Sequence, residues 1–125
     1  LLINPNRFKS PPVPPISLEY LSGSLWNNGH KTEIVDLCFS ADIYKDLDIA
    51  VKSFNPDIFG ITVRNVDSVL YQDNEFYLND IKEIVHYLKS TYDLQVLLGG
   101  TGLMTNPQAV LDYLGADYAF VGPAE

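Results

Sequence analysis

The sequence predicts one doubly wound α/β domain with about five parallel strands, and three observations predict it. Short runs of apolar and β-branched residues alternate with longer segments of helical periodicity, the pattern of successive βαβ units. The run Ile58-Phe59-Gly60-Ile61-Thr62-Val63 is almost continuously apolar, as a strand covered on both faces must be. A length of 125 residues, 46% of them hydrophobic, supports one core without an internal boundary.

Leu1 to Asn4 reads as the first strand. Ile16, Leu18, Tyr20, Leu21, Leu25 and Trp26 then recur at helical spacings, and Asn28-Gly29 stops that first helix. Thr32 to Leu37 is the second strand. A weaker helix follows from about Ala41 to Phe54 and ends at Asn55-Pro56, because proline pushes the preceding residue out of the helical region. Asp57 to Val63 makes the third, central strand. Leu78 to Ser90 is the clearest helix, with Ile81, Ile84, Val85 and Leu88 on one face. Gln95 to Leu98 gives the fourth strand, Pro107 to Leu114 a fourth helix with proline in its first turn and Gly115 as its stop, and Tyr118 to Val121 the fifth strand. Helices on both sides of such a sheet complete a three-layer sandwich.

Charge and cysteine usage exclude several functions. Sixteen acidic against eight basic residues leave a net charge of -8, the wrong sign for tracking nucleic-acid phosphates. Cys38, the single cysteine, can form neither an internal disulfide nor a Cys-rich metal site, which fits a reducing, cytoplasmic setting. No apolar run approaches the roughly 18 to 20 residues that span a bilayer, so no membrane partner is expected. The chain opens inside a strand pattern without an initiating Met and stops at Gly122-Pro123-Ala124-Glu125, as a domain cut from a longer protein would.

In open parallel sheets, ligands bind beyond the carboxyl ends of the strands where strand order reverses, so the loops at Pro5 to Pro15, Arg64 to Tyr77, Gly99 to Asn106 and from Gly122 onward are the places for a site. Arg64-Asn65-Val66-Asp67 puts a fixed cation, an amide and a carboxylate after the central strand, which suits a large polar ligand. An Arg64–Asp67 salt bridge with Asn65 closing a turn would use the same residues. Gly99-Gly100-Thr101-Gly102 allows positive φ and close approach of a flat ligand or a phosphate, or is simply a tight turn. It matches neither the phosphate-binding loop nor the dinucleotide glycine fingerprint. Pro5 to Pro15 is long for a strand-to-helix loop and stiff with proline, a preformed wall or a rigid surface loop. His30 and His86 read as structural or surface residues, and Cys38 as a buried small hydrophobe. No catalytic constellation and no metal-ligand set stands out.

Taken in order, Leu2-Ile3-Asn4-Pro5-Asn6-Arg7, Pro14-Pro15-Ile16-Ser17-Leu18-Glu19-Tyr20-Leu21, Gly29-His30, Asp36-Leu37, Pro56-Asp57, Arg64-Asn65-Val66-Asp67 and Leu98-Gly99-Gly100 form one pattern over nearly the whole chain. It resembles the amino-terminal cobalamin-binding domain of cobalamin-dependent radical S-adenosylmethionine enzymes. The resemblance implies a Rossmann-like domain that holds the corrinoid over its strand ends, with the nucleotide tail passing into the framework of sheet and helices. Many cobalamin-binding domains carry Asp-x-His-x-x-Gly after the first strand, whose histidine becomes the lower cobalt ligand. Here Asn4-Pro5-Asn6-Arg7 and prolines stand there instead, which implies a base-off cofactor without a protein imidazole.

On that resemblance Arg64 and Asn65 lie near the lower face of the ring, and Val66 and Asp67 of the same loop belong to the cofactor-binding set. Gly99, Gly100, Thr101 and Gly102 border the cofactor tail, Asn6 and Pro15 belong to the rim, and Gly122 closes the set. The family's iron-sulfur cluster and S-adenosylmethionine belong to a radical barrel elsewhere in the parent chain, since one cysteine cannot supply Cys-x-x-x-Cys-x-x-Cys. The expectation is therefore a non-catalytic cobalamin module, residues 1–125, of a parent enzyme that is a methyltransferase. The alternatives are a flavodoxin-like flavin or nucleotide domain and a receiver-like interaction domain; the latter needs an acidic pocket after the first strand, where Asn4-Pro5-Asn6 stands.

Overall fold

The computed structural model describes residues 1–67 and 76–123. Its elements run β1 (Leu2–Asn4), α1 (Ile16–Asn27), β2 (Ile34–Asp36), α2 (Ile43–Phe54), β3 (Ile58–Thr62), α3 (Leu78–Thr91), β4 (Gln95–Gly99), a short 3₁₀ turn (Thr101–Leu103), α4 (Pro107–Leu114) and β5 (Tyr118–Ala119). All five strands are parallel, in the order β2-β1-β3-β4-β5. This is the predicted doubly wound fold, and β3 is its central strand. No helix among the described residues is long and apolar enough to cross a membrane.

Local chemistry places the helix ends close to where the sequence puts them. Asp42 caps α2 by accepting from the Lys45 N–H at 3.1 Å, and Asn55 ends it in the left-handed conformation, φ 52°, its N–H on Val51 O. Asn106 caps α4 by accepting from the Ala109 N–H at 3.2 Å, Pro107 occupies the first turn and Gly115 the left-handed exit. Four strands are shorter than the sequence reading has them. β1 omits Leu1, β2 omits Thr32, Glu33 and Leu37, β3 omits Asp57 and Val63, and β5 stops before Phe120 and Val121; the Thr32 side chain is engaged instead by Ser22 Oγ and the Trp26 indole.

The sheet divides the protein unequally. Phe59, Ile61, Val63, Val96 and Leu98 alternate onto one face, at most 1% exposed, and merge with Leu47, Ala50 and Val51 of α2, with Ile81, Ile84, Val85 and Leu88 of α3, and with Val110 and Leu114 of α4. Burial of this many large side chains, at about 1.5–3 kcal/mol each, is the main stabilising term. The three helices are also tied to one another and to the sheet. Tyr87 and Tyr92 both donate their hydroxyls to Asp48 Oδ1, joining α3 to α2, and Tyr113 donates to Asn79 Oδ1 at 2.5 Å, joining α4 to α3. Lys89 spans Gly115 O and Asp117 Oδ1, while Asp117 Oδ2 accepts the Val96 N–H at 2.8 Å and so anchors β5 to β4. Among the described residues the other face carries α1 alone, seated on β1 and β2 through Leu18.

The candidate site at the carboxyl edge

The strand order reverses between β1 and β3. The loop leaving β1 leads to α1 on one face, and the loop leaving β3 leads to α3 on the other, so adjacent chains diverge and open a crevice at the carboxyl edge. That is where the sequence places its candidate loops.

On the β1 side the crevice wall is a polar knot. Asn4, only 4% exposed, donates its amide to Asp36 Oδ1 at 2.9 Å, and the same carboxylate oxygen accepts the Cys38 N–H at 3.1 Å. The Asn4 carbonyl accepts the Leu37 N–H and the Arg7 guanidinium donates to Leu37 O at 2.8 Å, so the ends of β1 and β2 are stitched together. Asn6 contributes locally, its side-chain oxygen accepting the Phe8 N–H at 3.1 Å, which leaves it partly exposed on the rim. Pro15 stands at the entry of α1 with its carbonyl accepting from Leu18. Cys38 is 1% exposed with its thiol toward Phe8 O, the buried small hydrophobe expected of it.

On the β3–β4 side two loops are fused. The Val63 N–H donates to Gly99 O at 2.7 Å, the Gly102 N–H donates to Val63 O at 2.8 Å, and the Thr101 hydroxyl donates to Arg64 O at 2.9 Å. Arg64 and Asn65 are thus exposed side chains on an anchored backbone, with Val66 and Asp67 half-buried behind them. Asp67 bridges Phe76 and the Tyr77 N–H donates to Val66 O, which pins the base of the loop; the remainder of the Arg64 to Tyr77 stretch, 68–75, lies outside the described residues.

The three glycines have different jobs. Gly100 has φ 107°, and a Cβ there would sit 2.6 Å from Val63 O; one at Gly102 would lie 2.8 Å from the same oxygen. Their clearance is toward the β3 backbone, where the sequence reading has it toward a ligand. Gly99 is the exception, since a Cβ at that position meets nothing within 4 Å. The structure therefore joins Arg64 to Asp67 with Gly99 to Gly102 beside the crevice, puts Asn6 and Pro15 across it, and leaves Gly122, φ 117°, beyond the edge strand two strands from β3.

Two features escape the sequence reading. One is the buried Asn4–Asp36 contact between residues 32 apart. The other is a collar of exposed apolar side chains on the loops at the same edge: Phe8 51%, Phe39 67%, Phe76 46% and Met104 68%. Sparse apolar residues among polar loop residues carry no periodic signal, and that these four share one edge of the sheet is visible only once the strands are ordered.

Three comparisons bear on this edge. A B12 binding domain family model matches residues 10–125. Tryptophan 2-C-methyltransferase of Streptomyces laurentii is 31% identical over 125 residues, covering 99% of this chain but 21% of that enzyme. Two solved structures of a radical S-adenosylmethionine methyltransferase, TsrM, from Kitasatospora setae superpose closely. The one with tryptophan substrate and a SAM analog bound gives a TM-score of 0.93 at 33% identity, and the one with cobalamin and a [4Fe-4S] cluster bound gives 0.91 at 32%. They cover 99% and 98% of this chain, and each aligns over 23% of its own. The chain spans about a fifth of the length of the relatives it matches.

Proposed function

The chain belongs to the B12-binding domain family, and we propose that it is the cobalamin-holding module, residues 1–125, of a longer radical S-adenosylmethionine enzyme that is a methyltransferase. The observation that carries this reading is the likeness, over 98% of the chain at a TM-score of 0.91, to a structure that holds cobalamin. The barrel that would bear the iron-sulfur cluster and S-adenosylmethionine is then a partner in the same parent chain. The reducing, cytoplasmic setting inferred from one buried cysteine goes with it.

The residues at the carboxyl edge fit a flat, amide-fringed macrocycle. Gly99 leaves open space at the end of β4 where a side chain would intrude. The apolar collar of Phe8, Phe39, Phe76 and Met104 would exclude water from a ring or from a covering domain, while Asn6, Asn65, Thr101 and the loop carbonyls offer partners for amides. Cobalamin, when bound, would supply the metal centre for methyl transfer. The chain's own task is to orient it and to govern its lower face.

For that lower face we propose a base-off cofactor without a protein imidazole. His30 follows α1 at the amino edge of the sheet, and His86 is an exposed residue inside α3, so both histidines are carried away from the crevice. Arg64 and Asn65 occupy the loop instead. A guanidinium has no lone pair to offer a metal and an amide oxygen is a weak donor, so the pair would shield that face without ligating it strongly.

The test is a visible-absorption titration of the protein with hydroxocobalamin and methylcobalamin, read with co-elution on a sizing column. Saturable uptake with a base-off spectrum is expected. A folded protein that takes up neither form, or that carries a flavin spectrum in their place, would overturn the reading.

A further inference from the structure

Asp42 and Asn106 cap α2 and α4, each accepting a backbone N–H of the first turn. α3, the longest of the described helices, has no such group. Its N-cap is Tyr77, already helical at φ -76° and ψ -15°, and no side-chain hydrogen bond caps it. Another contact must fix the angle at which the chain enters this helix.

That contact is one ring on the neighbouring helix. Phe76, the residue before the cap, meets Tyr113 of α4 edge to face, with ring centroids 5.7 Å apart and planes at 73°. Asn79 Oδ1 accepts the Tyr113 hydroxyl at 2.5 Å, and Lys82 Nζ lies 4.2 Å from the centroid of the same ring. Phe76, Asn79 and Lys82 stand three residues apart, so they share one stripe at the start of α3. They meet Tyr113 by its edge, its hydroxyl and its face. In a hydrophobic staple the residue before the cap packs on the fourth residue of its own helix. Here that fourth residue is Ile81, which is 5% exposed in the core, and Phe76 takes its ring partner from α4.

What this arrangement holds is the exit of the loop that carries Arg64 and Asn65. Phe76 forms a bridge with Asp67, and the Tyr77 N–H donates to Val66 O at 3.0 Å. Upstream, the Gly102 N–H holds Val63 O and the Thr101 hydroxyl holds Arg64 O. Arg64 and Asn65 therefore stand between two anchors, one in the loop after β4 and one that reaches α4 through Phe76.

We propose that Tyr113 is a positioning residue for the cobalamin site: through Phe76 it fixes the entry of α3 and the Val66–Asp67 end of the loop, and so sets where Arg64 and Asn65 stand relative to the ring. The proposal deepens the cobalamin reading and rests on it. Tyr113 itself belongs to α4, outside the crevice between β1 and β3.

The experiment uses the full-length protein with two readouts, visible-absorption titration with hydroxocobalamin and hydrogen exchange of the Tyr77 amide in the cobalamin-free state. Tyr113→Ala removes all three contacts and, at a residue 38% exposed, opens no core cavity. It is expected to weaken binding roughly threefold to tenfold and to speed Tyr77 exchange by a similar factor. Tyr113→Phe keeps the edge and face contacts and should bring both readouts back to within about twofold of the parent. In a Phe76→Ala background the connection is already cut, so Tyr113→Ala should change neither readout further. Tyr87→Phe is the control, since it breaks a bond from α3 to Asp48 of α2 and should lower the urea midpoint while leaving both readouts in place.

Parent-like binding and exchange in Tyr113→Ala overturn the proposal. So do effects of Tyr113→Ala and Phe76→Ala that multiply in the double variant, which would make the two residues independent. A Tyr87→Phe protein that loses binding as Tyr113→Ala does overturns it as well, by making the loss one of general stability. If the parent protein takes up no hydroxocobalamin, the functional reading fails separately, and the Tyr77 amide still decides whether Tyr113 holds the loop: faster exchange in Tyr113→Ala upholds that role and parent-like exchange overturns it.

Discussion

Replacing Gly100 by alanine separates the two jobs a glycine loop can have. The φ of 107° and ψ of 169° fall in a region that only glycine occupies comfortably, at a cost of about 1–3 kcal/mol for any other residue. The new Cβ would also lie 2.6 Å from Val63 O and 3.0 Å from Thr62 Oγ1, so the loop must move. That movement strains the Gly102–Val63 and Thr101–Arg64 hydrogen bonds, and losing one of them adds about 1 kcal/mol. The expected destabilisation is therefore about 2–4 kcal/mol, on the order of 10 °C in Tm for a domain of this size. Gly99→Ala is the control, because its Cβ enters empty space and its φ lies outside the left-handed region; it should unfold within about 0.5 kcal/mol of the parent. Urea unfolding followed by circular dichroism measures both, and the cobalamin titration is then repeated on Gly99→Ala, which should bind more weakly. Equal stability for the two variants, or a Gly100→Ala protein as stable as the parent, would refute the division of labour among these glycines.

Arg64→Ala should leave the unfolding curve in place, since the side chain is exposed and only its backbone carbonyl is held, yet shift cobalamin affinity by roughly tenfold or alter the bound spectrum; unchanged binding and spectrum would remove Arg64 from the site. The Asp48 cluster predicts a pH profile. Hydrogen bonds from Tyr87 and Tyr92 hold the Asp48 carboxyl below its ordinary 3.8, so that contribution to stability is present above pH 3.8 and fades as the pH falls further. Burial, then the bond to Asp48, pushes the Tyr92 hydroxyl above its ordinary 10.0, so its contribution is intact below pH 10.0 and is lost as the pH rises beyond it. Urea midpoints recorded across pH should show both limbs, and Tyr92→Phe should flatten the alkaline one while costing about 1 kcal/mol at neutral pH.

Periodicity made the frame legible: β3 and β4 are buried strands whose composition leaves few other options, α2 announces its end with Asn55-Pro56, and α4 both of its ends with Pro107 and Gly115, whereas the Asp42 and Asn106 caps came from the structure. The same signal is ambiguous for α1. Its apolar residues surround the helix, and the structure buries Leu18 while leaving Ile16, Tyr20 and Trp26 at 52%, 69% and 60% exposed. Spacing reports that side chains share a face and is silent on whether anything meets that face. The turn at Thr101–Leu103 is too short to leave a period, and the packing role of Gly100 and Gly102 depends on a Val63 carbonyl that sequence distance hides. For the site, the loops could be named because strand ends follow from the fold class, but the apolar collar and the Asn4–Asp36 contact required the strand order.

An all-parallel sheet also sets a timetable. The Leu1 backbone nitrogen bonds to Ile58 O, 57 positions away, so at a synthesis rate of about 5–20 residues per second the inner edge of the first strand stays bare for roughly 3–12 s. β2 arrives sooner and covers only the outer edge. The loop that carries Arg64 acquires its anchor later still, when Thr101 emerges and reaches back 37 positions. Capture of a cofactor at this edge therefore waits until both walls of the crevice exist.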